Sequence, residues 1–407
     1  MKTATAAPVP ATAPPDTLAP DRWVVFFGED WGGHNSTGQY LATGLAERHP
    51  VLWVDSLGLR SPHLSIRDLR RIVGKLGAFV RSLRSRRQEY AAPGLLPGAA
   101  ANVVVVSPLA MPWLRYGWVR RVNRWFVGAY LRRAARQHGI VRPYVITACP
   151  ATVDVVDALD PERVIYYCAD EHSVFPGMDA ALVGRIEGEL LARVDRVIAT
   201  SRALVQSKSR HHGDVRYLPH GVNWAHMHTA LTASHRTGEL PAVGSPIAGF
   251  IGQISDHVDL DLLASVAASL PFVRFVIVGP VVEPAPALPA GDNIHYVGAQ
   301  PYADLPAWLS RFGVALMPFA DTPRVRYAHP TKVREYLAGG CPVVATPHPE
   351  LAGLSPFVTT AATALEFAAA IRRVLGDPPD REAVSRSVAA DDWSERAREF
   401  EALVVAA

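Results

Sequence analysis

The sequence predicts an α/β protein made of two parallel-sheet domains that face a deep cleft. Three observations support this. Short apolar runs rich in Val, Ile and aromatic residues alternate with helical patterns, the signature of strands joined by crossover helices. Many of these runs end in Gly, Pro, Ser or Asp, as strand-to-helix turns do. The alternation occurs twice, on either side of an aperiodic stretch at 223–246 rich in Gly, Pro, Ser, Thr and His. The boundaries that follow are a disordered tail at 1–20, a first domain at 21–222, a linker at 223–246 and a second domain at 247–384. A terminal helical segment, 385–407, is expected to pack back on the first domain.

Composition narrows the class. Hydrophobic residues make up 49% and charged residues 19%, enough apolar surface for two cores. A net charge of +3 does not by itself point to nucleic acid, and none is expected as a partner. The three cysteines, Cys149, Cys168 and Cys341, have no paired spacing. That argues against a disulfide framework or a zinc site and fits a reducing, cytoplasmic setting. No apolar run is long enough to span a bilayer. The first 20 residues, rich in Ala, Pro and Thr, lack the apolar block of a secretory signal.

In the first domain, Trp23–Phe27 reads as a strand. The loop Gly28–His34 follows, then a helix near Tyr40–Arg48 and a strand at Val51–Asp55. Gly32 and Gly33 would let backbone approach a ligand; an ordinary tight turn is the plain alternative. The G-x-G-x-x-G spacing of a dinucleotide site is missing. Later strands at 103–106, 144–147, 163–167, 196–200 and 215–218 place the loops at Gly32, Cys149-Pro150, Asp170–His172 and Ser201 on one rim. In an open parallel sheet that rim, at the strands' carboxyl ends, holds ligands. His172, beside Asp170 and Glu171, is a candidate acid–base group; a structural histidine is the alternative.

Two segments of this domain are basic. Residues 66–87 form an amphipathic pattern with an arginine-rich outer face. Residues 113–136 read as a second basic helix, and from Met111 to Arg142 there are eight arginines and no acidic residue, with Trp113, Trp118 and Trp125 interleaved. This composition suits a helix lying on an anionic membrane, so a peripheral position on the inner membrane face is expected. Solvated core helices are the alternative.

The second domain alternates in the same way, with strands at 247–251, 274–278, 294–297 and 314–317. It ends in its most informative stretch, His329–Thr346: a loop, a helix beginning at Pro330, a Gly339-Gly340 stop and the strand Val343–Ala345. A helix start of this kind is an anion site. Lys332 in the first turns suits a phosphate and Glu335 suits sugar hydroxyls; an i,i+3 surface pair is the alternative.

Taken in order, these residues resemble a retaining glycosyltransferase of the GT-B fold, which has two Rossmann-like domains, in the family 4 (group 1) set. The resemblance rests on Gly32-Gly33, Leu218-Pro-His-Gly-Val-Asn223, Gly249-Phe-Ile-Gly252, Val278-Gly-Pro280 and Tyr296-Val-Gly298. Its most specific part is Pro330-x-Lys332-x-x-Glu335-Tyr-Leu-Ala-x-Gly340-x-Pro342. Tyr167-x-x-Asp170-x-x-Ser173 is similar to a bacterial subgroup that builds surface polysaccharides.

The resemblance implies transfer of a sugar from a nucleoside diphosphate sugar to a lipid-linked or saccharide acceptor, with retention and without a metal or other cofactor. It also implies site roles. Val297 and Gly298 would meet the base, and Glu335 the ribose. Gly32, Gly33, Gly252, Gln253, His329, Pro330, Thr331 and Lys332 would surround the diphosphate and sugar. Lys332, His172 and Asp170 would be the catalytic candidates. Two departures stand out. Tyr327 occupies the place of the family's first motif glutamate. Gln253 and Asp256-His257 stand where an Arg and a Lys are usual, so the phosphate charge would fall to Lys332, with Arg324, Arg326 or His329. A GT-B-fold sugar-nucleotide 2-epimerase and a catalytically weak nucleotide-sugar-binding subunit are the alternative readings.

Overall fold

The structure, a computed structural model, describes residues 22–32, 36–59, 102–233, 246–282 and 286–406. The expected tail, Gly33, His34 and the basic pattern at 66–87 lie outside the described residues.

Seven parallel strands form the first sheet: β1 Val24–Phe27, β2 Val51–Val54, β3 Val103–Val106, β4 Tyr144–Thr147, β5 Arg163–Cys168, β6 Arg196–Ala199 and β7 Val215–Tyr217. Their order is β3-β2-β1-β4-β5-β6-β7. Six form the second: β8 Ile247–Ile251, β9 Arg274–Val278, β10 Ile294–Gly298, β11 Val314–Met317, β12 Val343–Ala345 and β13 Val358–Thr360. Their order is β10-β9-β8-β11-β12-β13. Central strands such as VVFF, VLWV and VALM are buried throughout, because helices cover both faces of a parallel sheet. The helices are α1 Thr37–Leu45, α2 Gly117–His138, α3 Ala180–Leu191, α4 Arg202–Lys208, α5 Trp224–His228, α6 Leu260–Ser269, α7 Leu305–Leu309, α8 Pro323–Tyr327, α9 Thr331–Ala338, α10 Ala364–Gly376, α11 Arg381–Arg386 and α12 Trp393–Val405.

Each sheet reverses its strand order once, at β1/β4 and at β8/β11. Such a switch point opens a crevice at the carboxyl ends of the strands. The two crevices are lined by the Gly28–Gly32 loop in the first domain and by the loops after β8 and β11 in the second.

The C-terminal segment belongs structurally to the first domain. Trp393, Ala397, Phe400 and Val404 of α12 share a buried cluster with Val24, Phe26, Tyr40 and Leu41. Trp393 stacks on Tyr40 with ring centroids 5.0 Å apart. Arg163 and Arg196 donate to the carbonyls of Val405 and Ala406 at 3.1 and 3.0 Å, closing the helix end whose last carbonyls have no intrahelical partner.

Several local expectations are corrected. The basic helix expected at 113–136 runs from Gly117 to His138, and residues 113–116 precede it as non-helical chain. Residues 224–231, assigned to the linker, form α5 and a 3-10 turn, because Asn223 caps the helix and Met227 and Ala230 enter the second core. The chain from Pro150 to Leu159, after the Cys149-Pro150 loop, makes two 3-10 turns. Pro330 is the cap residue of α9, so the helix starts at Thr331, one position after the expected start. α10, a helix not among the expected elements, has a legible start signal in its Thr363–Glu366 capping box.

One buried ion network fixes the first-domain rim. Lys208 Nζ lies 2.7 Å from Glu171 Oε2 and 2.7 Å from Glu187 Oε2. Tyr166 donates to the other oxygen of Glu187, and Ser173 to the other oxygen of Glu171. Two carboxylates hold the Lys208 ammonium charged despite burial. The Asp170–Ser173 loop is thereby tied to α3 and α4. Replacing Lys208 by Met strands two buried carboxylates, so Lys208→Met is expected to cost about 3–5 kcal/mol of stability in a denaturant titration.

Candidate active site

The site begins with two glycines. At Gly279 φ is +144°, and a Cβ there would lie 1.8 Å from the Gly252 carbonyl oxygen. Only glycine permits this crossing of the chain after β9 over the chain after β8. The Gly279 amide donates to Gly298 O at 2.8 Å, and Gly252 N to Val278 O at 2.8 Å, so the ends of β8, β9 and β10 are laced together. A Cβ at Gly252 would stand 2.5 Å from Lys332 Nζ. The Lys332 amine therefore rests against the bare backbone of Gly252, at the second sheet's switch point.

Lys332 is set there by α9. Val333, Tyr336 and Leu337 bury the helix's inner face. The Tyr336 hydroxyl donates to Ile251 O and accepts from Ile251 N, each at 2.9 Å, which pins α9 to the end of β8. Burial lowers the Lys332 pKa, with Glu335 opposing. The same burial raises Glu335, against Lys332 and His226. Both side chains are partly buried, and neither forms an ion pair within 4 Å among the described residues.

Around Glu335 the structure gathers groups that the sequence did not single out. His226 stacks on Tyr302 with centroids 4.7 Å apart and bonds the Tyr302 carbonyl through Nε2 at 3.0 Å. The Tyr302 phenol is hydrogen-bonded to Tyr40 of α1, a contact that spans the two domains.

Around Lys332 the second layer is His257 and Arg324. Burial, then the charges of Arg324 and Lys332, bring the His257 pKa down to about 4, leaving a neutral ring bonded to Ser255. Arg324 lies 4.9 Å over the ring of Phe175 in the first domain. Burial raises the pKa of Asp170, against the opposing charges of His172 and Arg324. Arg324 thus links Asp170 and His172 to the side of Lys332. His172 Nε2 is 3.2 Å from Ala148 O, which fixes the ring across the β4 loop.

Among the other expected positions, Gln253 and Gly298 are exposed at the crevice mouth, and Val297 is partly buried beside them. Gly32, with φ +76°, has open space where a Cβ would be. Thr331 is partly buried and Pro330 buried at the start of α9. Arg326 turns outward to Asp321. The His329 ring packs against His220 of the interdomain passage at 5.2 Å. Among the described residues no group of three or more His, Cys, Asp or Glu is arranged to hold a metal ion.

The domains also touch below the crevice. Ser201 donates to Tyr327 O at 2.7 Å, and Glu350 accepts from Tyr217 and from the Arg202 amide at 2.7 and 2.6 Å. Tyr327 contributes its backbone here.

Two parallel-sheet domains joined over a crevice, crossed twice by the chain, define the GT-B architecture. Residues 245–377, within the second domain, match the family model described as glycosyl transferases group 1. The chain is 27% identical over 159 residues to a putative teichuronic acid biosynthesis glycosyltransferase, TuaH, of Bacillus subtilis; the match spans 36% of this chain and 40% of that protein. In shape it is similar to the trehalose-phosphate synthase of Burkholderia xenovorans (TM-score 0.61, 13% identity, 94% of this chain and 99% of the other). It is likewise similar to HepE of Anabaena in complex with UDP-glucose (TM-score 0.57, 11% identity, 95% and 96%) and to sucrose-phosphate synthase of Thermosynechococcus elongatus (TM-score 0.59, 16% identity, 94% and 96%).

The His220–His329 pair makes a prediction. Burial brings His220 down to about 3, and burial with Arg334 nearby lowers His329. Both bind protons more readily when unfolded, so stability is complete above a histidine's ordinary pKa of ~6.5 and is lost as pH falls below it. Thermal melting between pH 7.5 and 5 should show this decline, and His329→Gln should flatten it.

Proposed function

We propose that the protein transfers a sugar from a nucleoside diphosphate sugar to a lipid-linked or saccharide precursor of a surface polymer, with retention at the anomeric carbon. The observation that supports the donor half most is the Lys332 ammonium. It is partly buried, has no carboxylate ion pair among the described residues, and rests on Gly252 at the switch point. A dianionic leaving group placed there meets Lys332, the free amides at the start of α9 and the Arg324 guanidinium. Donors fixed where phosphate charge develops lower the barrier without reorganising. Glu335, one helical turn deeper, takes the ribose hydroxyls as an acceptor of hydrogen bonds, and Val297 and Gly298 border the base. The acceptor reading draws on the teichuronic acid role named for the Bacillus subtilis relative and on the Asp170–Ser173 loop across the cleft. The retaining outcome rests on the resemblance of the Lys332–Glu335 helix to the retaining group. No metal is assigned a role, since Lys332 and Arg324 supply the charge.

The decisive experiment incubates the protein with UDP-, GDP- and TDP-sugars, with and without a membrane extract as acceptor source, and follows nucleotide release. Tight binding with no release would favour a binding subunit, and an epimerised sugar an epimerase. Glu335→Ala is expected to weaken donor binding about 10- to 100-fold, the loss of charged hydrogen bonds worth about 1.5–3 kcal/mol. Lys332→Ala is expected to lower turnover about 10²- to 10³-fold. With the Lys332 pKa lowered, donor affinity should fall on alkaline titration earlier than an ordinary lysine would dictate, and Lys332→Arg should remove that fall. Activity should survive chelation by EDTA. The anomeric coupling constant of the product, read by NMR, tests retention.

A further inference from the structure

The most exposed aromatic surface lies at the start of α2. Trp118 and Trp125 are 60% and 70% exposed, and Trp113, Tyr116, Val122 and Phe126 are exposed beside them. Spacing makes this one stripe: residues 118, 122, 125, 129, 132 and 136 follow each other at helical intervals along the outer face. The stripe is apolar in its first half and carries Arg132 and Arg136 in its second. The arginines sort by side. Arg120 and Arg124, on the flank, bond Asp154 at 2.7 and 2.9 Å and clamp the helix to the domain. Arg121, Arg132, Arg133 and Arg136 form no ion pair among the described residues. Arg115 lies 4.7 Å over the ring of Tyr116, which stacks on Trp118.

The clamp also fixes where the stripe points. Asp154 belongs to the turn after β4, and a small cavity between the helix and that turn is lined by Leu57, Leu114, Asn123 and Ala151. Leu57 and Ala151 follow the carboxyl ends of β2 and β4. The aromatic end of α2 therefore sits at the same rim as Asp170 and His172.

We propose that this face docks on an anionic lipid surface, with Trp113, Trp118 and Trp125 entering the headgroup layer and the unpaired arginines facing lipid phosphates. Charge complementarity selects this partner: the segment from 111 to 142 has eight arginines and no acidic residue. Tryptophan is the residue type that settles where an apolar layer meets a wet one, and Arg extends its head to phosphate while its stem stays apolar. The docking itself is independent of the sugar-transfer reading. Only its consequence, that the acceptor reaches the Asp170 rim from the lipid side, rests on that reading.

The test is co-sedimentation of the full chain with vesicles of phosphatidylglycerol and phosphatidylcholine, against phosphatidylcholine alone. Binding to the anionic vesicles is expected, falling steeply with added salt. The double variants Trp118→Ser with Trp125→Ser, and Arg132→Glu with Arg136→Glu, should each lose at least about tenfold in affinity while melting like the parent protein. Hydrogen exchange should show new protection at 113–126 only when vesicles are added. Protection already complete without vesicles would overturn the proposal, because the face would then be covered by the protein or a second copy. So would equal binding to neutral vesicles, or binding to soluble polyglutamate with none to vesicles, which would mark an acidic protein partner.

Discussion

The second domain is organised around a charge that has no ion pair among the described residues. Lys332 is packed against Gly252, and a partly buried ammonium is costly unless something negative shares its space. The fold accepts that cost by fixing everything around it. Gly279 crosses over Gly252 where no side chain fits, Tyr336 ties α9 to β8, and Glu335 lies one turn away to moderate the field without pairing. A ligand carrying negative charge relieves this arrangement.

The first domain solves the opposite problem. Its buried lysine, Lys208, has two carboxylates and is fully committed. Its role is to hold the Asp170–Ser173 loop in place. The two lysines differ in their partners: Lys208 has two carboxylates at 2.7 Å, and Lys332 has no ion pair among the described residues. Between them Arg324 reaches from the second domain to Phe175 of the first. The same Arg324 side chain thus meets Phe175 and acts on the charge of Asp170, both in the first domain.

Much of this was legible in the sequence. Strands such as VVFF, VLWV and RVIYYC announce themselves because a parallel sheet buries both faces and so needs unbroken apolar runs. Lys332 and Glu335 were legible because a proline, a glycine pair and helical spacing confine them to one helix. The edge strand β13, three residues ending in two threonines, carries no such run. Tyr40 and Tyr302 could not be associated from spacing, since their hydrogen bond depends on how the two domains meet. Nor could the sequence choose among Arg324, Arg326 and His329 as helpers of Lys332. They lie within six positions of one another, and only their directions separate them: one over Phe175, one toward Asp321, one into the seam with His220.

The return of the chain to the first domain has a further consequence, in the order of events during synthesis. Phe400, Val404 and Trp393 complete the hydrophobic layer over β1 and α1, yet they follow the second domain in the chain. While the ribosome is still translating the second domain, one sheet face of the first is covered only in part, by α1, and the carbonyls that Arg163 and Arg196 will bind do not yet exist. The second domain, whose strands and helices lie between 246 and 391, has its core residues in place earlier. The first domain is thus completed only after the second has been made, and loss of α12 removes part of the lining of the first domain while leaving the Lys332 crevice's own strands intact.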